Sequence, residues 1–128
     1  MSATPPLVLV VDDEPSVRRA IAIAFRRAGF VAVDVGGSED AEHLLRTRRV
    51  DALVIDLRMP DMRGDVLFHS AVALQPHLAR ATVFVTGDVT EKAAELVAAC
   101  GCPMVGKPFD LGAVLDTVTS LLARQRVA

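Results

Sequence analysis

The sequence predicts an α/β protein, a doubly wound five-stranded parallel sheet with helices on both faces and strand order 2-1-3-4-5. Three observations lead there. Apolar, β-branched runs alternate five times with helical patterns across short connections, as βα repeats do. The three strongest runs, Leu7–Val11, Val50–Ile55 and Ala81–Val85, read as strands buried on both faces, whereas Val31–Val35 and Met104–Gly106 are weak enough to be edges. Each strong run also stops abruptly on a polar residue. With the strong runs central, strand order reverses between the first and third strands, so Asp12-Asp13 and Asp56 are expected to meet above the carboxyl edge of the sheet.

The elements follow in order. Leu7–Val11 gives way to Asp12-Asp13-Glu14-Pro15, where proline suits a first helical turn and the acids suit a helix N-terminus. Val17, Ile21, Ala24, Phe25 and Ala28 then recur at helical spacing, Arg18, Arg19, Arg26 and Arg27 fall off that stripe as solvated charges, and Gly29 closes the helix. Gly36-Gly37 turns the chain, Ser38 can cap, and Ala41, Leu44 and Leu45 line a helix that ends in Arg46-Thr47-Arg48-Arg49, again read as solvated. The central strand runs into Asp56 and a proline-stopped turn. Gly64 opens a helix to about Leu74 with Leu67, Ala71 and Leu74 as its buried stripe. After the fourth strand comes Thr86-Gly87-Asp88, then an alanine-rich helix from Thr90 to Cys100 with Gly101 as a left-handed cap. Asp110 can cap the last helix, whose stripe is Leu111, Val114, Leu115, Val118 and Leu122. Residues 1–128 make one domain with an ordered core over about 7–124.

Composition narrows the function. A formal net charge of −2 and a pI near 5.9 leave no basic footprint for nucleic acid, and with neither Trp nor Tyr there is little on which to stack bases. No apolar stretch approaches a membrane span, so a cytoplasmic protein with no direct membrane partner is expected. Cys100 and Cys102 form a lone C-x-C without the second ligand pair of a zinc site, and they read as small apolar residues with neither disulfide nor metal. His43, His69 and His77 have no acid at catalytic spacing and read as surface or filler residues. No G-x-S-x-G, Walker or G-x-G-x-x-G signature is present.

The strand ends carry the chemistry. They deliver Asp12-Asp13, Asp56, Thr86 and Lys107 to one crevice. Three carboxylates there repel one another, each contact at ~4 Å costing about 4 kcal/mol at an effective dielectric near 20, so the cluster invites a divalent cation. A small set of oxygen ligands with room for water suits Mg²⁺. Beside a lysine and a threonine hydroxyl, such a cluster is a set of parts for phosphoryl transfer onto a carboxylate. The residues alone leave open which aspartate attacks, although the adjacent pair is better placed as metal ligands and the lone one as nucleophile.

Val10-Val11-Asp12-Asp13-Glu14-Pro15, Asp56-Leu57-Arg58-Met59-Pro60, Val85-Thr86-Gly87 and Lys107-Pro108-Phe109, each ending a βα unit's strand, resemble the motifs of response-regulator receiver domains of two-component signalling. The resemblance covers nearly the whole chain. It implies the flavodoxin-like (CheY-like) three-layer sandwich, with Asp56 accepting a phosphoryl group from a histidine kinase or phosphotransfer protein. It also implies Mg²⁺ held by Asp12, Asp13, Asp56 and the backbone carbonyl of Arg58, with Thr86 and Lys107 binding the phosphoryl oxygens and a cis bond at Lys107-Pro108. Such a chain is a regulator rather than an enzyme, catalysing only its own phosphorylation and dephosphorylation. It would stand alone or belong to a hybrid histidine kinase, and would meet a downstream protein, or a second copy, through its fourth helix, fifth strand and fifth helix. Two departures stand out. The switch position that usually holds an aromatic residue in partnership with the threonine is Met104, and the residue after the threonine is Gly87 rather than alanine. Met104 supports the alternative of a scaffold or dimerisation module with the receiver fold but no switch. Arg58 and Asp88 are expected to pair over the site. A hydrolase working through an aspartyl phosphate ranks last, because it usually wants an acid where this chain has Arg58.

Overall fold

The computed structural model describes residues 4–88, 90–107 and 110–127. Five strands, β1 (Leu7–Val11), β2 (Val31–Val35), β3 (Ala52–Asp56), β4 (Thr82–Thr86) and β5 (Met104–Gly106), alternate with α1 (Pro15–Arg27), α2 (Ser38–Thr47), α3 (Gly64–Leu74), α4 (Glu91–Cys100) and α5 (Leu111–Val127). Every pairing is parallel and the order is β2-β1-β3-β4-β5, as the sequence predicts. α1 lies beside α5, while α3 lies between α2 and α4, which makes three layers. β1, β3 and β4 are buried along their whole length, whereas β2 and β5 are largely half-buried edges. Burial on both faces is what an apolar run without alternation demands, and it fixes the central positions.

The interior is aliphatic with a few phenylalanines. Phe25 and Ile21 from α1 and Phe84 and Leu53 from the sheet are among the largest fully buried side chains. Phe25 meets Phe30 edge-on at 5.1 Å between ring centroids, which seats the end of α1 on the chain entering β2.

Several local expectations are corrected. Arg18 and Arg26 are not simply solvated: Arg18 Nε lies 3.4 Å from Asp34 Oδ2, and Arg26 Nη2 donates to the Ala32 carbonyl at 2.8 Å. β2 is an edge strand with a charge in it: Arg26 satisfies one of its carbonyls, and Arg18 offsets the charge of Asp34. Ser38 does not cap α2. It is the helix's first residue, and its N–H and hydroxyl both donate to Asp61 Oδ2, at 2.8 and 2.7 Å, so the cap comes from the loop after β3. Those two bonds hold the Asp61 carboxyl below its ordinary value. Leu74, expected in the buried stripe, is 41% exposed in the last turn of α3, and Phe68 is buried on that helix instead.

A 3₁₀ turn, Pro76–Arg80, separates α3 from β4, an element the sequence pattern does not announce. Just before it, Gln75 Oε1 accepts from Val50 N at 2.8 Å while Nε2 donates to the carbonyls of Leu45 and Arg48 at 2.8 and 2.7 Å. His77 Nε2 sits 2.6 Å from the Val50 carbonyl, so this histidine is a structural clamp rather than filler.

Gly64 decides how closely α3 approaches the end of β3. Its N–H donates to the Leu57 carbonyl at 2.8 Å, and a Cβ at this position would collide with the Asp56 carbonyl oxygen. Backbone atoms cannot move aside as a flexible side chain does. Gly64→Ala is therefore expected to destabilise the protein by about 2–3 kcal/mol, read as a lower urea midpoint; an unchanged midpoint would mean that the turn relaxes freely.

Candidate functional site

The site forms where β1, β3, β4 and β5 end. Asp12 follows β1 and is fully buried; its Oδ1 accepts from Glu14 N at 2.9 Å, a local turn that leads into Pro15 and α1. Asp13 beside it is exposed. Asp56 is the last residue of β3 and 4% exposed, with Oδ1 accepting from Arg58 N at 3.2 Å. Thr86 ends β4 and is fully buried. Lys107 follows β5, its N–H bonded to the Thr86 carbonyl at 2.7 Å, and its side chain reaches back across the sheet edge.

The lysine Nζ lies 3.0 Å from Asp12 Oδ2, 3.2 Å from Asp56 Oδ2 and 3.8 Å from Glu14 Oε1. Asp12, Asp13 and Asp56 each offer an oxygen within 4.8 Å of the others. This is an all-oxygen, hard-ligand set, the donor chemistry that Mg²⁺ prefers. Burial raises the Asp56 carboxyl above its ordinary value, with the Asp12 charge adding to that, while the Arg58 amide and Lys107 pull the other way. Burial alone would depress Lys107, but its hydrogen bond to Asp12 and the charge of Asp56 outweigh it and hold the ammonium above its ordinary value.

A second polar chain joins the connections that follow β3 and β4 beside this pocket. Arg58 donates through Nε to Asp88 Oδ2 at 2.7 Å, with Nη2 2.6 Å from the same oxygen, the ion pair that the sequence suggests. Asp88 Oδ1 accepts from the Thr90 hydroxyl at 2.6 Å and the Thr90 amide at 3.0 Å. Those bonds, with help from Arg58, bring the half-buried Asp88 carboxyl down to about 2. Thr90 caps α4 by accepting from Ala93 N at 3.2 Å, and Asp88 N donates to Thr86 Oγ1 at 3.0 Å. A continuous set of bonds thus runs from the end of β4 to the start of α4.

The structure brings Asp12, Asp13, Asp56 and Lys107 into one cluster and sets Thr86 on the adjacent strand end. Met104 is half-buried against the core, paired in register with Phe84. The Lys107-Pro108 bond and Phe109 lie outside the described residues. Sequence reasoning missed Glu14 as a neighbour of Lys107 and Asp61 as the cap of α2. Glu14 could have been read from its place beside the Asp pair, but nothing local marks Asp61. Burial pushes the Cys102 thiol up to about 12 and the Cys100 thiol above its ordinary value, so both stay protonated near neutrality.

Residues 8–119 match the response regulator receiver domain family, and the chain belongs to it. Among curated relatives it is 32% identical to the probable transcriptional regulatory protein TcrX of Mycobacterium tuberculosis, across 96% of this chain and 52% of that protein. It is 29% identical to protein Rrf1 of Nitratidesulfovibrio vulgaris, across 93% of this chain and 84% of that one. The chain spans about half the length of TcrX and 22% of the regulatory protein AtoC of Escherichia coli. Among solved structures, a response regulator receiver protein from Pseudomonas putida matches with a TM-score of 0.83 at 32% identity, covering 93% of this chain and 99% of that one. A CheY-like receiver from Methanospirillum hungatei has the same fold, with a TM-score of 0.88 at 18% identity and coverage of 96% and 98%.

The raised carboxyl of Asp56 has a thermodynamic sign. Its charged form is held less favourably in the fold than in the unfolded chain, so it costs stability near neutral pH, and the cost fades as the pH falls through the raised folded-state value. In Mg²⁺-free buffer, Asp56→Asn is expected to melt at a higher temperature than the parent at neutral pH. That gain should shrink on acidification; a variant less stable at neutral pH would show that the Lys107 contact outweighs burial.

Proposed function

We propose that Asp56 accepts a phosphoryl group from a histidine kinase or histidine phosphotransfer protein and that the phosphorylated chain, acting as one receiver domain in the cytosol, engages a downstream protein. The observation that carries this reading is Lys107 Nζ held between Asp12 Oδ2 and Asp56 Oδ2 at 3.0 and 3.2 Å in a pocket with a third carboxylate. Family membership supports it, and among the described residues no helix is long and apolar enough to cross a membrane.

In this reading Asp12, Asp13 and Asp56, with the Arg58 carbonyl, hold Mg²⁺, which when bound offsets phosphoryl charge. An Asp56 carboxylate oxygen forms the new O–P bond as the P–N bond of the phosphohistidine breaks, the electron pair leaving with the imidazole nitrogen. Lys107 can leave the carboxylates to pair with the phosphoryl oxygens. The Thr86 hydroxyl accepts from Asp88 N and donates to no group among the described residues, so its proton is available to a phosphoryl oxygen. Moving Thr86 inward draws on Asp88, and through Thr90 on the start of α4. The output surface is then the α4–β5–α5 face, where Glu91, Lys92, Glu95 and Asp116 are exposed to a downstream protein or a second copy. The chain acts on no other substrate.

A second reading, a scaffold or dimerisation module, is favoured by Met104 alone. Intact mass after incubation with acetyl phosphate separates the two. A Mg²⁺-dependent phosphoryl increment, absent in Asp56→Asn, is the expected result. An unmodified chain that still binds Mg²⁺ would favour the scaffold.

We expect the Arg58–Asp88 pair, which joins the connections after β3 and β4, to hinder approach of the hydrolytic water. Arg58→Ala should lose its phosphoryl group faster, by up to about fivefold if the pair is worth what exposed ion pairs usually are. An unchanged rate of loss, followed by mass, would remove the pair from the account.

A further inference from the structure

The carboxylates occupy one end of the sheet, and the opposite end has a different chemistry. The segments that enter β3 and β4 meet there. The Gln75 and His77 bonds to Leu45, Arg48 and Val50 fix the backbone of the loop between α2 and β3, so its side chains project from a settled base. Two hollows of 470 and 730 Å³ flank the Pro76–Arg80 turn, and Pro76 and His77 line both. Arg46, Arg48 and Arg49 border the first beside Leu74; Arg80 and Arg124 border the second beside Leu121. Neither lining contains an Asp or Glu.

Arg46 and Arg49 have partners in Glu42 and Asp51, at 3.4 and 3.2 Å. Arg48, Arg80 and Arg124 form no ion pair among the described residues, and all three are exposed. Helix ends account for part of this charge: Arg46 and Arg48 stand in the last turn and at the C-cap of α2, Arg80 ends the 3₁₀ turn, and Arg124 lies in the last turn of α5. Five arginines from three parts of the chain nevertheless gather around the two hollows.

We propose that this pole binds an acidic polypeptide segment of a partner protein, one that presents carboxylates beside apolar side chains. Guanidinium forks match carboxylates in plane and in spacing, and the rim places them on both sides of half-apolar hollows. The linings hold no aromatic platform such as single-stranded nucleic acid would use, and the net charge of −2 opposes a long polyanion. Leu74 is exposed and Leu121 half-buried, too little apolar surface for a lipid-inserting face. This surface lies at the opposite end of the sheet from Asp56, and its second hollow borders the α4–β5–α5 face through Gly101, Leu121 and Arg124.

The test uses fluorescence anisotropy of a labelled peptide alternating Glu and Leu, with its Gln counterpart as control. The full chain should bind the Glu peptide, and the Gln peptide about tenfold more weakly. The triple variant Arg48→Ala, Arg80→Ala, Arg124→Ala should lose about tenfold in affinity while keeping its melting temperature. The double variant Arg19→Ala, Arg27→Ala, which removes two exposed arginines from α1, should bind as the parent does. An equal loss in the α1 variant, or no loss in the triple variant, would overturn the proposal. So would tighter, triple-sensitive binding of oligothymidylate or of phosphatidylserine vesicles, which would give the pole to a different class of partner.

Discussion

Lys107 places one ammonium between Asp12 and Asp56, and that contact is what makes the carboxyl edge of this sheet tolerable. Two of the clustered acids are almost wholly buried, and at short range in a medium of reduced dielectric their repulsion would be several kcal/mol without a cation. The lysine lowers that cost without removing it, since burial still keeps the Asp56 carboxyl above its ordinary value. A site in this condition offers the charge and oxygen donors that a divalent cation favours, and under the proposed reading a phosphoryl group would meet that cation and the lysine. The strand order sets this up: only a sheet with β1 beside β3 brings the two acids together, and only a lysine following the edge strand β5 can reach over β4 to both.

The loops around the pocket are held by contacts between elements rather than within them. Asp61 from the β3–α3 connection caps α2, Gly64 seats α3 against the backbone of Asp56, and Arg58 reaches Asp88 on the next connection. None of these is strong alone, and an exposed ion pair is worth less than about 1 kcal/mol. Their joint effect is geometric. The backbone that carries Asp56 and Arg58 is fastened at both of its ends, so the positions of the acid and of the neighbouring carbonyl are set before any ligand arrives.

This division explains what could be read from the sequence. Strand centrality follows from unbroken apolar runs, and the meeting of Asp12-Asp13 with Asp56 follows from strand order, so fold and acid cluster were both legible. Contacts that join residues distant in sequence through side chain and backbone were not. Ser38 looks like a cap because serine is a good one, but its place in α2 is decided by Asp61, twenty-three residues away. Arg18 looks solvated because it falls off the apolar stripe, yet Asp34 on the adjoining edge strand recruits it. His77 has no acid partner to give it away, because its partner is a carbonyl. Propensity and periodicity describe what a residue prefers locally and carry no record of which distant backbone group needs a donor.

Met104 raises the question of how a change at the pocket would reach the surface under the proposed reading. A flexible thioether adapts to its surroundings in many rotamers and so transmits position poorly, whereas a planar ring must either fit or move. The hydrogen bonds from Thr86 through Asp88 to Thr90 need no aromatic residue at all. Each link is short and directional, and the last of them is the N-cap of α4, so displacing Thr86 changes how the first turn of that helix is satisfied. Gly87, exposed between two of the linked residues, lets the loop follow that displacement with little steric resistance. Under the proposed reading the two departures from the family pattern are complementary: a switch position without a ring stands beside a loop able to carry a displacement through its own hydrogen bonds.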